Sequence, residues 1–496
     1  MQPRLCLCRL VGTHKPGARV RPNRKATMPN QIAFLALAAS PIFVAVMLSR
    51  LSVERAFIWS MMLCYLFLPE PPAVFDFPMM PPLDKHNLPA LMVFAILLGR
   101  REPSGSLLPD SVLGKTLVLT FVFSPIMTVI NNGQPVFFGL VGLPALGLKD
   151  AAALVLEQFL QVLPFLLARQ HLATGGAQKE LLWALMIGGL VYTPLMLIET
   201  RLSPQLNNWV YGYFQHYFAQ TIRFGGYRPI VFLYHGIWVA FFLMTSVVSA
   251  FALWRWHKGD GRWKLLGVAL YLTLILVLAK SLGSLIFVVL LVPLVVLLAP
   301  RTQVRIAVLI GAMTLAYPLL KGADLVPQEQ MLEQATKIDP DRAGSLRFRF
   351  HNEDQLLERA YIKPIFGWGS WGRNHILDPY SGAILTVTDG FWIISIGTYG
   401  WIGFLAQFGT LLLPLALIWR AMGSHRNDAI SPFVGPLSLM LAINVSDMIP
   451  NATLTPLTWL LAGALTGYAE KLRQAAPTQR RGHANHTAET RRRTVM

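Results

Sequence analysis

About thirteen apolar runs punctuate the chain between residues 32 and 468, and they constrain its fold more than any other feature. A helix needs roughly 20 mostly apolar residues to cross about 30 Å of hydrocarbon. Several runs are shorter than that and must borrow flanking residues. Repeated runs of this kind predict helices, because a helix satisfies its own backbone hydrogen bonds inside lipid. The expected fold class is therefore all-α: a polytopic helical membrane protein. It has about 12–14 transmembrane helices and one large extracytoplasmic loop. Composition agrees, since 54% of the 496 residues are apolar and 14% charged, against about a quarter charged in soluble domains. Disordered, collagen-like and soluble nucleic-acid-reading chains are excluded.

The net charge of +18 sits mostly at the ends. Residues 1–27 and 471–496 supply thirteen of the excess positive charges. Lys and Arg in short loops mark the cytoplasmic side. Arg100 with Arg101, residues 255–264, Arg301 with Arg305, Arg420 with Arg426 and the C-terminal tail all share that side. The chain is expected to cross its membrane many times, with the C-terminus inside. On this reading 28–200 holds the N-terminal membrane helices, 201–229 an outer interfacial loop, and 230–320 the central helices. Residues 321–400 form the large outer loop, 401–470 the C-terminal helices, and 471–496 a basic cytoplasmic tail. The basic segment 1–27 falls on the outer side, against the charge rule. A true start at Met28 removes the conflict; so does one early run that is not a span. Cys6, Cys8 and Cys64 form no disulfide framework and no zinc spacing.

Two outer segments carry the chemistry-bearing residues. In the first, Trp209, Tyr213 and Tyr217 recur every four residues beside Val210, Phe214 and Phe218, which predicts an interfacial helix over 208–223. It ends in Arg223-Phe-Gly-Gly-Tyr-Arg228-Pro229. An arginine fork matches phosphate oxygens in pairs, so Arg223 and Arg228 are phosphate-holding candidates, with simple headgroup anchoring as the alternative. In the second, 345–361 reads as a helix capped by Ser345, with Leu346, Phe350, Leu357 and Tyr361 near one face. Arg347 and Arg349 lie on it beside His351, Asn352 and Glu353. A surface ion pair with Glu353 is the alternative for Arg349.

Downstream, Gly367, Trp368 and Gly369 belong to a run of alternating glycine and tryptophan that predicts a shaped turn. Its resemblance to a phosphate loop is weak, since no strand precedes it and no Gly-Lys-Ser or Gly-Lys-Thr follows. Asp389 stands at the mouth of the next span, as either a helix cap or a catalytic acid or base. Within the membrane, Glu157 and Asp447 are candidates by default. Lys280-Ser-Leu-Gly283-Ser284 is a tight outer turn that binds an anion or only closes a hairpin.

Through these residues the chain resembles the bacterial O-antigen ligase and polymerase superfamily. The resemblance rests on the span count, the Arg223–Arg228 stretch, the Lys280 hairpin and the large loop. That loop runs from Arg347 and Arg349 through Ala360-Tyr-Ile-Lys-Pro364-Ile-Phe-Gly367-Trp-Gly369 to Asp389. Gly397-Thr-Tyr-Gly400-Trp-Ile-Gly403 closes the pattern, which covers about residues 223–419.

The resemblance implies a glycosyltransferase that polymerises or ligates polyprenyl-diphosphate-linked oligosaccharide for a surface polysaccharide. It implies no metal and no cofactor, and a place in the bacterial cytoplasmic membrane. The implied partners are that lipid-linked saccharide, the bilayer, and other export and chain-length proteins; nucleic acid is not among them. Arg223, Arg228, Arg347 and Arg349 would hold the diphosphate and stabilise leaving-group charge. Many members carry a His-Asn pair where this chain has Asp389-Gly390. Asp389 is thus the first candidate base, followed by His351 and His375. The alternative class is a transporter or flippase of lipid-linked saccharide or a small anion, which should place charges or broken helices near the bilayer midplane.

Overall fold

The computed structural model describes residues 28–78, 80–100, 105–223, 225–423 and 430–493, with side chains to 475 except at 338, 341 and 342. The expectations for residues 1–27, Arg101 and Arg426 lie outside them.

Among the described residues, the chain forms sixteen α-helices. The first seven are α1 (Gln31–Arg50), α2 (Val53–Phe67), α3 (Leu88–Arg100), α4 (Val112–Ile130), α5 (Leu148–His171), α6 (Gly175–Leu202) and α7 (Leu206–Tyr211). Then come α8 (Gly236–Trp256), α9 (Arg262–Leu278), α10 (Leu282–Leu297) and α11 (Pro300–Gly322). The last five are α12 (Gln328–Ile338), α13 (Pro340–Ile362), α14 (Phe391–Met422), α15 (Val434–Asp447) and α16 (Pro456–Arg493). Two small antiparallel hairpins complete the fold, β1 (Val136–Phe138) with β2 (Val141–Leu143) and β3 (Ile222–Arg223) with β4 (Gly226–Tyr227).

Every apolar run read from the sequence coincides with a helix over most of its length, the largest offset being at α8, which starts at Gly236 although its run begins at Ile230. Seven helices (α1, α4, α5, α6, α8, α11, α14) are long and apolar enough to cross a membrane, and α3, α10 and α15 are shorter apolar helices. Polar caps mark several starts. Asn30 accepts the Ala33 N–H at 3.0 Å, Ser111 the Gly114 N–H at 3.1 Å and Thr174 the Ala177 N–H at 3.0 Å. Each satisfies an N–H that the first helical turn leaves without a partner.

Contacts sort the loops into two ends. At one end Tyr213 donates to the Glu70 carbonyl, Lys85 Nζ donates to Phe232 O at 2.7 Å, and Asn30 Nδ2 donates to Val210 O at 2.9 Å. Asn30, at the start of α1, therefore sits with the 201–229 segment, on the side the run count requires. At the other end Arg169 Nη1 lies 3.3 Å from Glu470 Oε2, and Arg55 Nε lies 3.4 Å from Glu180 Oε2. The long loops gather at the first end.

Close packing needs small residues at particular places. Gly463 and Gly467 of α16, one turn apart, press on the α5 carbonyls of Phe165 and Arg169, and a Cβ would come within 2.2 and 2.0 Å of them. This is the small-xxx-small spacing that lets membrane helices approach. Gly467→Leu should cost about 1–3 kcal/mol by overpacking, read as a lower melting temperature in detergent. An unchanged temperature would mean that α5 and α16 separate without penalty.

Two expected helices differ. The 208–223 helix is only α7, followed by a 3₁₀ turn at Phe218–Thr221. Gly212 adopts a left-handed φ of 82° and ends the helix. The aromatic residues then separate: Tyr213 is buried, while Trp209 and Tyr217 are exposed. The 345–361 helix begins five residues early, at Pro340, so Ser345 is interior and not a cap. Proline is preorganised for a first helical position, and the Asp339 carbonyl accepts the Ala343 N–H at 3.0 Å.

Helix α14 is broken. Gly400 has φ 69° and ψ −172°. The freed backbone meets the glycine turn of the large loop. Trp368 N–H donates to Gly397 O at 2.9 Å, and Gly369 N–H to Thr398 O at 2.8 Å. In return Trp401 N–H donates to Pro364 O at 2.8 Å, and Ile402 N–H to Ile365 O at 3.2 Å. The loop thus replaces the hydrogen bonds that the break removes.

Candidate functional site

The basic residues of the 201–229 segment meet the Lys280 turn at the loop end. Arg223 and Gly226 pair across the β3–β4 hairpin, whose turn places Gly225 at φ 67°. Lys280 Nζ donates to Arg223 O at 3.1 Å, and Arg228 Nη2 reaches Lys280 O at 3.4 Å. Arg223 is exposed; Arg228 is buried, and its Nε has no hydrogen-bond partner among the described residues. Burial, with Arg223 beside it, lowers the Arg228 pKa to about 10, which still leaves it charged at neutral pH. An unmet donor on a buried cation is costly and fits a site that takes an anion.

The segment after Arg228 is held tightly. Glu199 Oε2 accepts the N–H groups of Ile230 at 2.8 Å and Val231 at 2.7 Å, and its Oε1 accepts that of Leu206 at 3.0 Å. The Gln215 amide donates to Val231 O and Leu233 O, and the Tyr192 hydroxyl accepts the Phe232 N–H. None of these anchors is signalled by the local sequence pattern. Together they fix both Arg228 and His235.

His235 is a site residue that sequence reasoning missed. Its Nδ1 accepts the Ile237 N–H at 3.0 Å and caps α8. A backbone N–H can only donate, so the ring's proton resides on Nε2. Burial, with His216, Arg228, Arg223 and Arg349 around it, drives the His235 pKa down to about 2. His235 is therefore a neutral donor and not a base at physiological pH. Its neighbours also bring Arg349, from the other outer segment, into the same electrostatic surroundings as Arg223 and Arg228.

On α13, Arg349 does not pair with Glu353. Its Nε lies 3.2 Å from Asp389 Oδ2, and its Nη1 donates to Pro450 O at 3.4 Å. Asp389 is not the cap of α14 either; Gly390 occupies that position. Asn352 Oδ1 accepts the Val387 N–H at 2.7 Å and steadies the approach to Asp389. Burial raises the Asp389 pKa, and Arg349 opposes the rise. Arg347 and His351 lie exposed on α13.

Glu353 turns instead toward α11. It is buried, accepts from the Tyr317 hydroxyl at 3.2 Å and lies 3.9 Å from Lys321 Nζ. Lys321 also contacts Asp354 at 2.8 Å. Burial raises the Glu353 pKa to about 7 despite Lys321. A carboxyl whose folded pKa is raised stabilises most below its ordinary value, and that contribution is lost as pH rises through about 7. Amide exchange along α13 should accordingly be faster at about pH 8 than at about pH 5 once corrected for intrinsic rates, and Glu353→Gln should flatten the difference. A pH-independent profile in the native protein would contradict this.

The glycine–tryptophan turn and His375 belong to a separate cluster. Arg359 stacks on Trp368 at 4.2 Å and Phe138 at 4.6 Å. Arg373 is 1% exposed and donates to the carbonyls of Pro144, Gln134 and Trp368. Gly367, Gly369 and Gly372 all have positive φ. His375 Nδ1 lies 3.2 Å from Thr386 Oγ1, and burial lowers its pKa. This cluster ties the large loop to the β1–β2 hairpin and to the α14 break. Nothing in it brings His375 to Asp389. Of the membrane acids, Asp447 accepts from Thr453 at 2.8 Å and Asn451 at 3.0 Å, and Glu157 lies exposed on α5.

Fold and hydropathy define the class: a polytopic helical membrane protein. No protein-family model matches the chain, and no curated protein matches it.

Proposed function

We propose that this chain is a membrane glycosyltransferase acting on polyprenyl-diphosphate-linked oligosaccharide for a bacterial surface polysaccharide. The observation that carries the reading is the meeting of Arg223, Arg228, Lys280 and neutral His235 with Arg349, itself paired to Asp389. A group of cations at a bundle end, one of them paired to a carboxylate, suits a dianionic diphosphate beside a base. In the reaction the bond between the anomeric carbon and the diphosphate oxygen breaks. The acceptor hydroxyl oxygen bonds to that carbon, its proton passes to Asp389, and polyprenyl diphosphate leaves. Arg228 and Arg349 stabilise the charge that grows on the departing oxygens. Incoming diphosphate competes with Asp389 for Arg349, so substrate binding frees the carboxylate to accept the proton.

The loop end would face the outside, because the basic loops lie at the opposite end. The broken α14 lends no support to a transporter, since the large loop's own backbone fills the break.

Deleting the gene and analysing lipid-linked sugars tests the reading. Accumulated single repeat units indicate a polymerase; accumulated long chains with a bare acceptor indicate a ligase. Material trapped on the cytoplasmic side would contradict both and favour a flippase.

A further inference from the structure

A second group of ionisable residues lies at the same end, outside the proposed chemistry. Glu70 and Lys85 are each 1% exposed, with Oε1 and Nζ 3.1 Å apart. Glu70 Oε2 lies 2.9 Å from His86 Nε2. This leaves Nδ1 as the imidazole's other polar edge. The pair holds His86 against Trp238, with ring centroids 5.7 Å apart. From Trp238 the rings continue to Tyr234 at 5.8 Å, then His216 at 5.3 Å. His216 meets His235 at 4.5 Å, beside the arginines.

We infer that His216, Tyr234, Trp238 and His86 form a saccharide-binding strip leading away from the diphosphate site. The inference rests on the lipid-diphosphate reading above. The C–H face of a sugar ring packs on an aromatic face, while its hydroxyls need donors and acceptors close by. Rings with an apolar body and a polar edge supply both. Tyr234 is 38% exposed, and the other three rings are half-buried. Headgroup anchoring is the competing use of Trp and Tyr at a bundle end. It does not suit Trp238, which lines a pocket between helices with Asn444 and Thr453. Nor does anchoring call for a histidine held by a buried ion pair.

The test uses full-length protein in nanodiscs. The probes are undecaprenyl diphosphate and the lipid-linked saccharide purified from cells lacking the gene. Native protein should bind both, the glycosylated carrier about tenfold tighter or more. Trp238→Leu and Tyr234→Leu should remove that gain while leaving sugar-free carrier binding intact, which also reports a folded site. Trp238→Phe should restore part of it. Equal affinity for the two carriers in native protein, or a full gain in both leucine variants, overturns the strip alone. No binding of either carrier overturns the diphosphate reading and the strip with it.

Discussion

Arg349→Ala should lower transfer by about 10²–10³-fold while leaving the protein folded and at normal abundance. Arg349 combines two features found in no other outer arginine among the described residues. It lies within electrostatic reach of His235 with Arg223 and Arg228, and it pairs with the carboxylate proposed as base. Its loss would remove the proposed diphosphate contact and leave Asp389 without its ion-pair partner. Lys should restore only part of the activity, because a point charge cannot grip two oxygens as a fork does. Asp389→Asn should also be severely impaired. The Arg349→Ala/Asp389→Asn double variant should fall short of the product of the two defects, as expected for residues in contact. Release of polyprenyl diphosphate by purified protein measures all four variants. Native rates in Arg349→Ala would remove the diphosphate clamp from the account.

The second large effect is structural. At Gly400 a side chain would face a φ of 69°, and its Cβ would lie 2.3 Å from the Ile365 carbonyl oxygen. Gly367 mirrors it: φ is 66°, and a Cβ would come within 2.5 Å of Thr398 backbone atoms. Neither obstacle is the movable tip of a side chain. Gly400→Ala should therefore destabilise by more than about 2 kcal/mol, combining backbone strain with overpacking. The loop docked on the break should loosen first. Limited proteolysis should cut within 363–389 in the variant and not in native protein. Gly283→Ala is the control, because nothing lies within 4 Å of that position and its φ is not positive. Equal protease resistance in Gly400→Ala and Gly283→Ala would show that the joint tolerates a side chain.

The helices were legible because a span advertises itself by hydropathy alone. Each apolar run became a helix, although α3, α10 and α15 are short. Helix ends were less legible. Gly212 stops α7 through a left-handed turn, and the four-residue aromatic spacing beyond it did not reveal this. The large loop gave up single residues and not their pairings. Arg349 and Asp389 were each candidates, yet they lie forty positions apart and no spacing rule joins them. Glu353, four residues from Arg349, was the local partner that sequence suggested, but the helix face it occupies packs on Tyr317 and Lys321. His235 carried a faint signal as the last polar residue before an apolar span. Glu70, Lys85 and His86 carried a better one: they are ionisable residues, with Asp76 and Asp84, in a largely apolar turn between two short runs. Their meeting depends on the 68–87 segment folding back on itself, as the Phe75–Leu83 bridge shows.

The central claim is that saccharide transfer occurs at the arginine cluster with loss of the lipid diphosphate. The direct measurement reconstitutes native protein in proteoliposomes with purified lipid-linked saccharide and counts two products together, new glycosidic bonds and free polyprenyl diphosphate. The account predicts one polyprenyl diphosphate released for each bond formed, with both lost in Arg349→Ala. Movement of intact lipid-linked saccharide across the bilayer, with no polyprenyl diphosphate released, would contradict it.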